Sequence, residues 1–250
     1  MAFPSKNDSG VPYGAAHFAT THWTLVLTAQ RPDSSLAFDA LSQLCQTYWY
    51  PLYVYVRRRG YDAHDGQDLT QEFFARLLQK DFLGSVDRDK GKFRSFLLAS
   101  MNHFLAKEWK RANRQKRGGG GVIVSLDDDS AEHRYRQEPA TDLTADKLFE
   151  RRWAMTLLEG AMSQLRQEFL DGGKRSLFEE LKVFISGTRT EEGYAGVAPR
   201  VNLTEGAVKV AVHRLRKRYG EILRAEIAQT VSSPEEVEEE IRHLFQILGK

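Results

Sequence analysis

The chain has 250 residues, 41% of them hydrophobic and 28% charged, and its formal net charge at pH 7 is +2. This hydrophobic content suffices for one large or two ordinary folded domains, which excludes a fully disordered chain. The single cysteine, Cys45, excludes an internal disulfide, and its place on the apolar side of a helical pattern indicates a small core residue rather than a nucleophile. No apolar run is long enough to span a membrane and no signal-peptide pattern is present, so we expect a soluble cytoplasmic protein without a membrane partner.

The first half of the sequence predicts a flexible lead-in over residues 1 to 19 and a helical domain over 20 to 117. Apolar residues at helical spacing predict three principal helices in this domain, over 38 to 59, 63 to 79 and 93 to 116. Pro51 predicts a kink in the first helix, and Gly60 is a suitable residue to end it. Asp62 is a suitable N-cap for the second helix.

A flexible linker is predicted over residues 118 to 143, which are mostly polar and begin with four glycines. A phosphate-binding loop is disfavoured there because no Gly-Lys-Ser/Thr follows the glycines. Asp127 to Asp129 could hold Mg²⁺, as in a metal-dependent nuclease, but no complementary set of ligands accompanies them. We therefore interpret the aspartates as solvated and expect neither a metal nor another cofactor.

A second helical domain is predicted over residues 144 to 230. Thr144 can cap a long helix that reaches about Phe169, and Gly172-Gly173 should end it. A further helix is predicted over 174 to 185. The long helix has an apolar stripe formed by Phe149, Trp153, Leu157 and Leu165.

A helix-turn-helix follows in the predicted order of a short helix over 194 to 199, a turn at Asn202 and a basic helix capped by Thr204. The buried stripe of the basic helix is predicted to contain Val208, Val212, Leu215, Tyr219 and Ile222. Small residues come first on its outward face and cations later, which suits a helix that approaches base edges in a major groove. The predicted DNA contacts are Lys209, Val210, His213, Arg214, Arg216 and Lys217. The alternative is an amphipathic helix whose basic face is only solvated.

Charge is unevenly distributed along the chain. Residues 107 to 117 contain six cations and one Glu, a net charge of +5, and residues 205 to 224 contain six cations and two Glu, a net charge of +4. Two basic patches predict a polyanionic partner. By contrast, residues 235 to 242 have a net charge of −4, within an acidic amphipathic helix predicted over 231 to 250. This helix could cap the core of the second domain, cover a DNA-binding face or bind another protein.

Two segments of the first domain have the composition of binding surfaces. The segment from Asp65 to Leu77 places acids and amides beside Phe73 and Phe74, and Phe74 is predicted to lie off the buried stripe. Phe93 and Phe96 precede a basic helix end, an arrangement expected where bases leave a stack and cations hold the backbone. The alternative for both segments is core aromatics beside a solvated helix face.

These motifs resemble the bacterial sigma factors of the extracytoplasmic-function (ECF) class over about 38 to 117 and 150 to 224. Asp68-Leu69-Thr70-Gln71-Glu72 with Phe74 resembles the helix that binds core RNA polymerase. The segment 93 to 97 with the helix after it resembles the part that melts and reads the minus-ten element. Tyr194-Ala195 and the basic helix resemble the reader of the minus-thirty-five element.

The resemblance implies an all-α fold of two helical domains joined by a flexible linker, and a transcription initiation factor rather than an enzyme. Its implied partners are core RNA polymerase, promoter DNA and a regulatory protein such as an anti-sigma factor. The implied polymerase contacts are Asp65, Asp68, Gln71, Glu72 and Phe74. The implied minus-ten contacts are Phe93, Arg94, Phe96, Lys107, Lys110, Arg111 and Arg114.

The sequence departs from the family pattern at Gly196 and Pro199, which are poor formers of the first helix of a helix-turn-helix. Asn102-His103 stands where the family usually has an Arg-Asn pair. The rival interpretation is a helix-turn-helix repressor or activator that binds duplex DNA without polymerase. Such a protein would normally bind as a dimer.

Overall fold

The computed structural model describes residues 35–77, 92–114, 129–138, 142–186, 193–231 and 233–249. Within these ranges every regular element is helical, which confirms the predicted all-α class. The α-helices are α1 (Ser35–Arg58), α2 (Ala63–Leu77), α3 (Phe93–Arg114), α4 (Asp129–Arg136), α5 (Ala145–Asp171), α6 (Arg175–Leu181), α7 (Gly193–Val197), α8 (Glu205–Ala228) and α9 (Glu236–Leu248). A 3₁₀ turn, Lys182–Phe184, follows α6. The predictions for the lead-in, the four glycines, Asp127 and Asp128 lie outside the described residues.

The predicted helix ends are confirmed where local chemistry determines them. Gly60 follows α1 with a φ of 98°, a left-handed conformation that a side chain would strain. The Asp62 carboxylate accepts a hydrogen bond of 2.8 Å from the backbone N–H of Asp65 at the start of α2. Thr144 caps α5 through a hydrogen bond from the N–H of Lys147. These residues therefore fix where α1 ends and where α2 and α5 begin.

The core is built mainly where α1 packs against α5. Tyr48 and Leu52 of α1 are fully buried in one cluster with Trp153 of α5, and the same cluster includes Phe73 of α2 and Val208 of α8. Residues from both predicted domains therefore share apolar contacts in this conformation. The domain boundaries stay a prediction.

The linker is predicted to be mostly irregular, but residues 129 to 136 of it form α4. Glu132 of α4 accepts hydrogen bonds from the Tyr53 hydroxyl at 2.5 Å and from the Arg57 guanidinium at 3.2 Å. That guanidinium also lies 4.7 Å from the centre of the Tyr135 ring. This short helix is thus held by contacts with α1 that are distant in sequence.

Helix α9 packs against α5 and α8. Val237 and Leu244 of its predicted apolar stripe are buried, and Ile241 and Leu248 are half-buried against the core. None of the described helices is long and apolar enough to cross a membrane.

Candidate nucleic-acid and polymerase interfaces

The turn before α8 has the predicted geometry. Asn202 has a φ of 52°, in the left-handed region that Asn tolerates better than most residues. The Thr204 hydroxyl accepts a hydrogen bond of 3.2 Å from the N–H of Ala207 and caps α8. Helix α7 ends at Val197, earlier than predicted, before Pro199. The order of α7, turn and α8 is compatible with a helix-turn-helix.

The outward face of α8 exposes one apolar and three polar side chains toward its N-terminal half. Val210 is 51% exposed, and His213, Arg214 and Lys217 are also exposed. Among the described residues, no carboxylate forms an ion pair with Arg214 or Lys217. Both cations are therefore available to phosphates, next to an apolar side chain that can contact a thymine methyl group.

Two other predicted DNA contacts on α8 already have protein partners. The Lys209 ammonium lies 2.8 Å from Glu205, and hydrogen bonding to that carboxylate raises the pKa of Lys209. Arg216 donates a hydrogen bond of 2.8 Å to the carbonyl of Phe184. The first contact stabilises the start of α8, and the second joins α8 to the 3₁₀ turn. A DNA contact by either residue stays a prediction.

A bidentate ion pair fixes the orientation of α8 on α5. Arg218 donates hydrogen bonds of 2.8 Å and 2.6 Å to the two oxygens of Glu168. The hydrogen bond from Arg218 lowers the pKa of Glu168, and the same contact raises the pKa of Arg218. The Tyr219 hydroxyl adds a hydrogen bond of 3.2 Å to the carbonyl of Leu158. These contacts with α5 therefore fix the direction in which the cationic face of α8 points.

The predicted polymerase contacts lie along α2. Asp65 is exposed, Asp68 and Gln71 are half-buried, and the Glu72 side chain is 43% exposed. The expectation that Phe74 lies on the surface is wrong, because the residue is 5% exposed and packs edge-on against Phe73. Since α2 packs against both α1 and α3, two adjacent aromatics can be buried on it.

The start of α3 is buried in this conformation. Phe93 is fully buried and packs edge-on against Tyr48, with ring centres 5.3 Å apart. Arg94 is 4% exposed and lies 4.6 Å from the ring centre of Trp153. Phe96 is half-buried. A DNA contact by these residues stays a prediction, and it requires the first two to become accessible.

The other end of α3 is open. Lys107, Lys110 and Arg111 are exposed, whereas the Arg114 side chain lies outside the described part of the structure. Trp109, which lies in the apolar helical pattern of α3, is 62% exposed. The buried stripe continues from Leu105 to Glu108, which forms an ion pair of 2.7 Å with Arg76 of α2.

Trp109 lines an open cavity of about 510 Å³ together with cationic and aromatic neighbours. The cavity lies between α3 and the turn after α1, and its lining includes Arg59, Tyr61 and Lys110. A flat aromatic face beside cations is suited to stack an unpaired base while the cations hold its phosphate. Sequence periodicity alone does not reveal this site, because it assigns Trp109 to the core.

The family model described as ECF sigma factor matches residues 38–217. This chain belongs to that family. A search of curated proteins and a search of solved structures each gave no match. ECF sigma factors act in transcription initiation as DNA-binding factors rather than as catalysts. The match in this ECF sigma factor ends within α8 and leaves α9 outside it.

Within the described ranges, this ECF sigma factor has no group of three His, Cys, Asp or Glu residues that could hold a metal. Cys45 is half-buried, and burial raises the pKa of its thiol to about 11. A thiol with that pKa is protonated at neutral pH and is a poor nucleophile. This supports the interpretation of Cys45 as a packing residue.

Proposed function

We propose that this ECF sigma factor binds core RNA polymerase in the cytoplasm, directs it to specific promoters and takes part in opening them. The observation that supports this function best is the outward face of α8, where Val210, Arg214 and Lys217 are exposed beyond the capped turn at Thr204. Such a face can enter a major groove and contact bases and phosphates of duplex promoter DNA.

The second DNA surface in the proposal is the end of α3. There Lys110 lines a cavity with the exposed ring of Trp109, and Lys107 and Arg111 are exposed on the same end of the helix. We assign the first contact with separated bases to Trp109, because its ring is accessible while Phe93 is buried. The cations supply the contacts with the sugar-phosphate backbone.

The proposed polymerase surface is the acidic face of α2. Asp65 and Asp68 lie near the beginning of the helix, and Glu72 follows one turn later. Phe74 is buried on the same helix, where its ring packs against Phe73. An anti-sigma protein is a further partner that the family commonly has, and it would compete for one of these surfaces.

Reconstitution with core RNA polymerase tests the proposed function. The full-length protein should co-purify with core enzyme and should direct transcription from a subset of fragments in a genomic library. Core enzyme alone should not transcribe those fragments specifically. Failure of both assays, together with duplex binding by a dimer, would instead support a repressor or activator that acts without polymerase.

A further inference from the structure

The start of α3 and the acidic helix α9 meet in a partly buried cluster of ionisable side chains, here called the Arg94 cluster: Lys92, Arg94, Glu150, Glu239, Glu240 and His243. Arg94 donates a hydrogen bond of 2.8 Å to Glu150 of α5 and another to Glu240 of α9. The Lys92 ammonium lies 2.7 Å from the second oxygen of Glu240. His243 of α9 lies 3.1 Å from Glu150. One helix turn of α9 therefore contacts both cations and their carboxylate neighbour.

Glu240 is an unusual residue to find in a helix whose only role is to cover an apolar core. It is fully buried, although it lies on α9 between the buried apolar residues Val237 and Leu244. A carboxylate is almost never fully buried without a partner, because removing its charge from water is costly. An apolar side chain would suit a simple cap better. Glu240 fits because Lys92 and Arg94 both meet its carboxylate.

Helix α9 reverses the charge of this site. Lys92 and Arg94 face three carboxylates, those of Glu150, Glu239 and Glu240, so their formal sum is −1. Without the two glutamates of α9, the formal sum would be +1. The carboxylates of α9 thus occupy the cations that a DNA phosphate would otherwise contact.

A backbone hydrogen bond next to the cluster also holds the start of α3 in its buried position. The N–H of Phe93 donates a hydrogen bond of 3.4 Å to the carbonyl of Thr230, which lies between α8 and α9. The whole segment 92 to 94 is therefore held by the C-terminal part of the chain. Phe93 and Arg94 cannot contact a DNA strand while these bonds are intact.

We propose that α9 is an internal ligand of Lys92 and Arg94, bound in place of a single-stranded promoter segment. The inference rests on the proposed function, because it adds to that function a DNA contact at the start of α3 that α9 controls. A DNA strand and α9 compete for the same two cations, so strand binding shifts the population toward a state in which α9 is released. The apparent affinity for DNA is therefore the intrinsic affinity multiplied by the fraction of molecules in which α9 is released.

The variant E240Q in the full-length protein tests this competition, with E238Q as the matched control. Glu238 is on the same helix, but its side chain is 65% exposed and pairs with Arg224. We expect E240Q to bind a fluorescent oligothymidylate about tenfold more tightly than the wild type, which corresponds to about 1.4 kcal/mol. Amide hydrogen exchange of residues 92 to 98 should increase in parallel. E238Q should change neither value.

A second variant, L244A, loosens α9 without leaving a charge unpaired, because Leu244 is apolar and fully buried. It should show the same two changes if E240Q folds poorly. Faster exchange at 92 to 98 without tighter oligonucleotide binding would overturn the inference. So would exchange that rises equally in the core of α5, since α9 would then be a structural cap. Unchanged exchange and affinity in both variants would overturn it as well.

The oligonucleotide assay needs no polymerase, so the proposed function and the inference about α9 can be refuted independently of each other. Absence of promoter-directed transcription by the wild type would refute the proposed function. The difference in oligonucleotide affinity between E240Q and E238Q would still decide whether α9 competes with nucleic acid.

Discussion

Two aromatic residues of α3 lie in opposite environments. Phe93 is fully buried against Tyr48, whereas Trp109 is 62% exposed and lines a cavity with Arg59 and Lys110. A ring this exposed contributes little to the core, and its position beside cations leaves it available to stack on an unpaired base. Trp109 is therefore the residue of α3 whose replacement should affect binding more than folding.

The variant W109A should bind single-stranded oligonucleotides about five- to 150-fold more weakly, because stacking of a base on an aromatic ring contributes about 1–3 kcal/mol. W109F keeps a stacking face and should retain most of the affinity. Titration followed by fluorescence anisotropy measures both, and circular dichroism checks that the helical content is unchanged. Equal affinities of W109A and the wild type would remove Trp109 from the DNA surface.

Glu226 of α8 predicts a pH-dependent stability. Burial raises the pKa of its carboxyl above the ordinary 4.5, so the folded state holds the proton more tightly than the unfolded state. The wild type thus loses stability as pH rises from about 4.5 through the raised pKa. E226Q should melt at a higher temperature than the wild type at pH 7, and the difference should shrink below pH 4.5. The exposed control E221Q should change little, and an equal response from both variants would contradict the prediction.

At the scale of helices, ion pairs between elements set the direction of each binding face. Arg76 of α2 pairs with Glu108 of α3 at 2.7 Å, and Arg218 of α8 pairs with Glu168 of α5 at 2.6 Å. These partly exposed pairs each contribute modestly to stability. Their main consequence is geometric, because they orient α2 and α8 while leaving the proposed contact residues accessible.

Replacement of Arg214 and Lys217 by alanine should weaken duplex binding and flatten its salt dependence. Each lost phosphate contact should reduce the slope of log K against log salt by about 0.9. The matched control replaces Lys174 and Arg175, two exposed cations at the start of α6, and should leave the slope unchanged. Identical slopes for the two double variants would mean that α8 does not contact phosphates.

Charge reversal at Asp68 and Glu72 should weaken co-purification with core polymerase and leave the helical fold intact. Both side chains are partly exposed, and the pair between Glu72 and Arg76 is a surface pair of small net value. Reversal of Glu159 and Asp171, which are exposed on α5, controls for total charge. Normal polymerase binding by D68K/E72K would contradict the assignment of α2.

At the scale of the whole molecule, the contact between α1 and α5 joins the two predicted domains. Trp153 lies at its centre, fully buried and in contact with the Arg94 guanidinium. A shared core of this kind predicts cooperative unfolding of both segments. The closed arrangement therefore has a thermodynamic signature that two independent domains would lack.

W153A should destabilise the closed protein by about 3–5 kcal/mol, the usual cost of removing a buried large aromatic side chain. Denaturation followed by hydrogen exchange should show α3 and α8 losing protection together in the wild type and at a lower denaturant concentration in W153A. Loss of protection in α8 with α3 unaffected would show that the domains unfold separately.

The sequence predicts those features that depend on neighbouring residues. Gly60, Asn202 and Thr204 have the conformations or caps that their residue types favour. The errors concern contacts between distant segments. Trp109 is exposed although it lies in an apolar helical pattern, and Phe74 is buried on a helix that packs against two others. Periodicity identifies the apolar face of a helix, but it cannot show which partner covers the other faces.

Glu240 is the clearest example of this limit. Its place among five glutamates predicts a solvated acidic face, and only the meeting of α9 with Lys92 and Arg94 makes burial possible. The same argument applies to α4, whose eight residues are too few for a stable isolated helix. Its hydrogen bonds with Tyr53 and Arg57 come from a helix about 75 residues earlier.

Helix α8 connects the proposed duplex-binding face to the start of α3. Its 24 residues run without a break from the cap at Thr204 to Ala228, two residues before the carbonyl that binds Phe93. At 1.5 Å per residue the helix is about 36 Å long, so a rotation of about 10° about one end moves the other by about 6 Å. That displacement exceeds the length of a hydrogen bond. If α8 turns when it enters duplex DNA, its far end must pull away from Phe93.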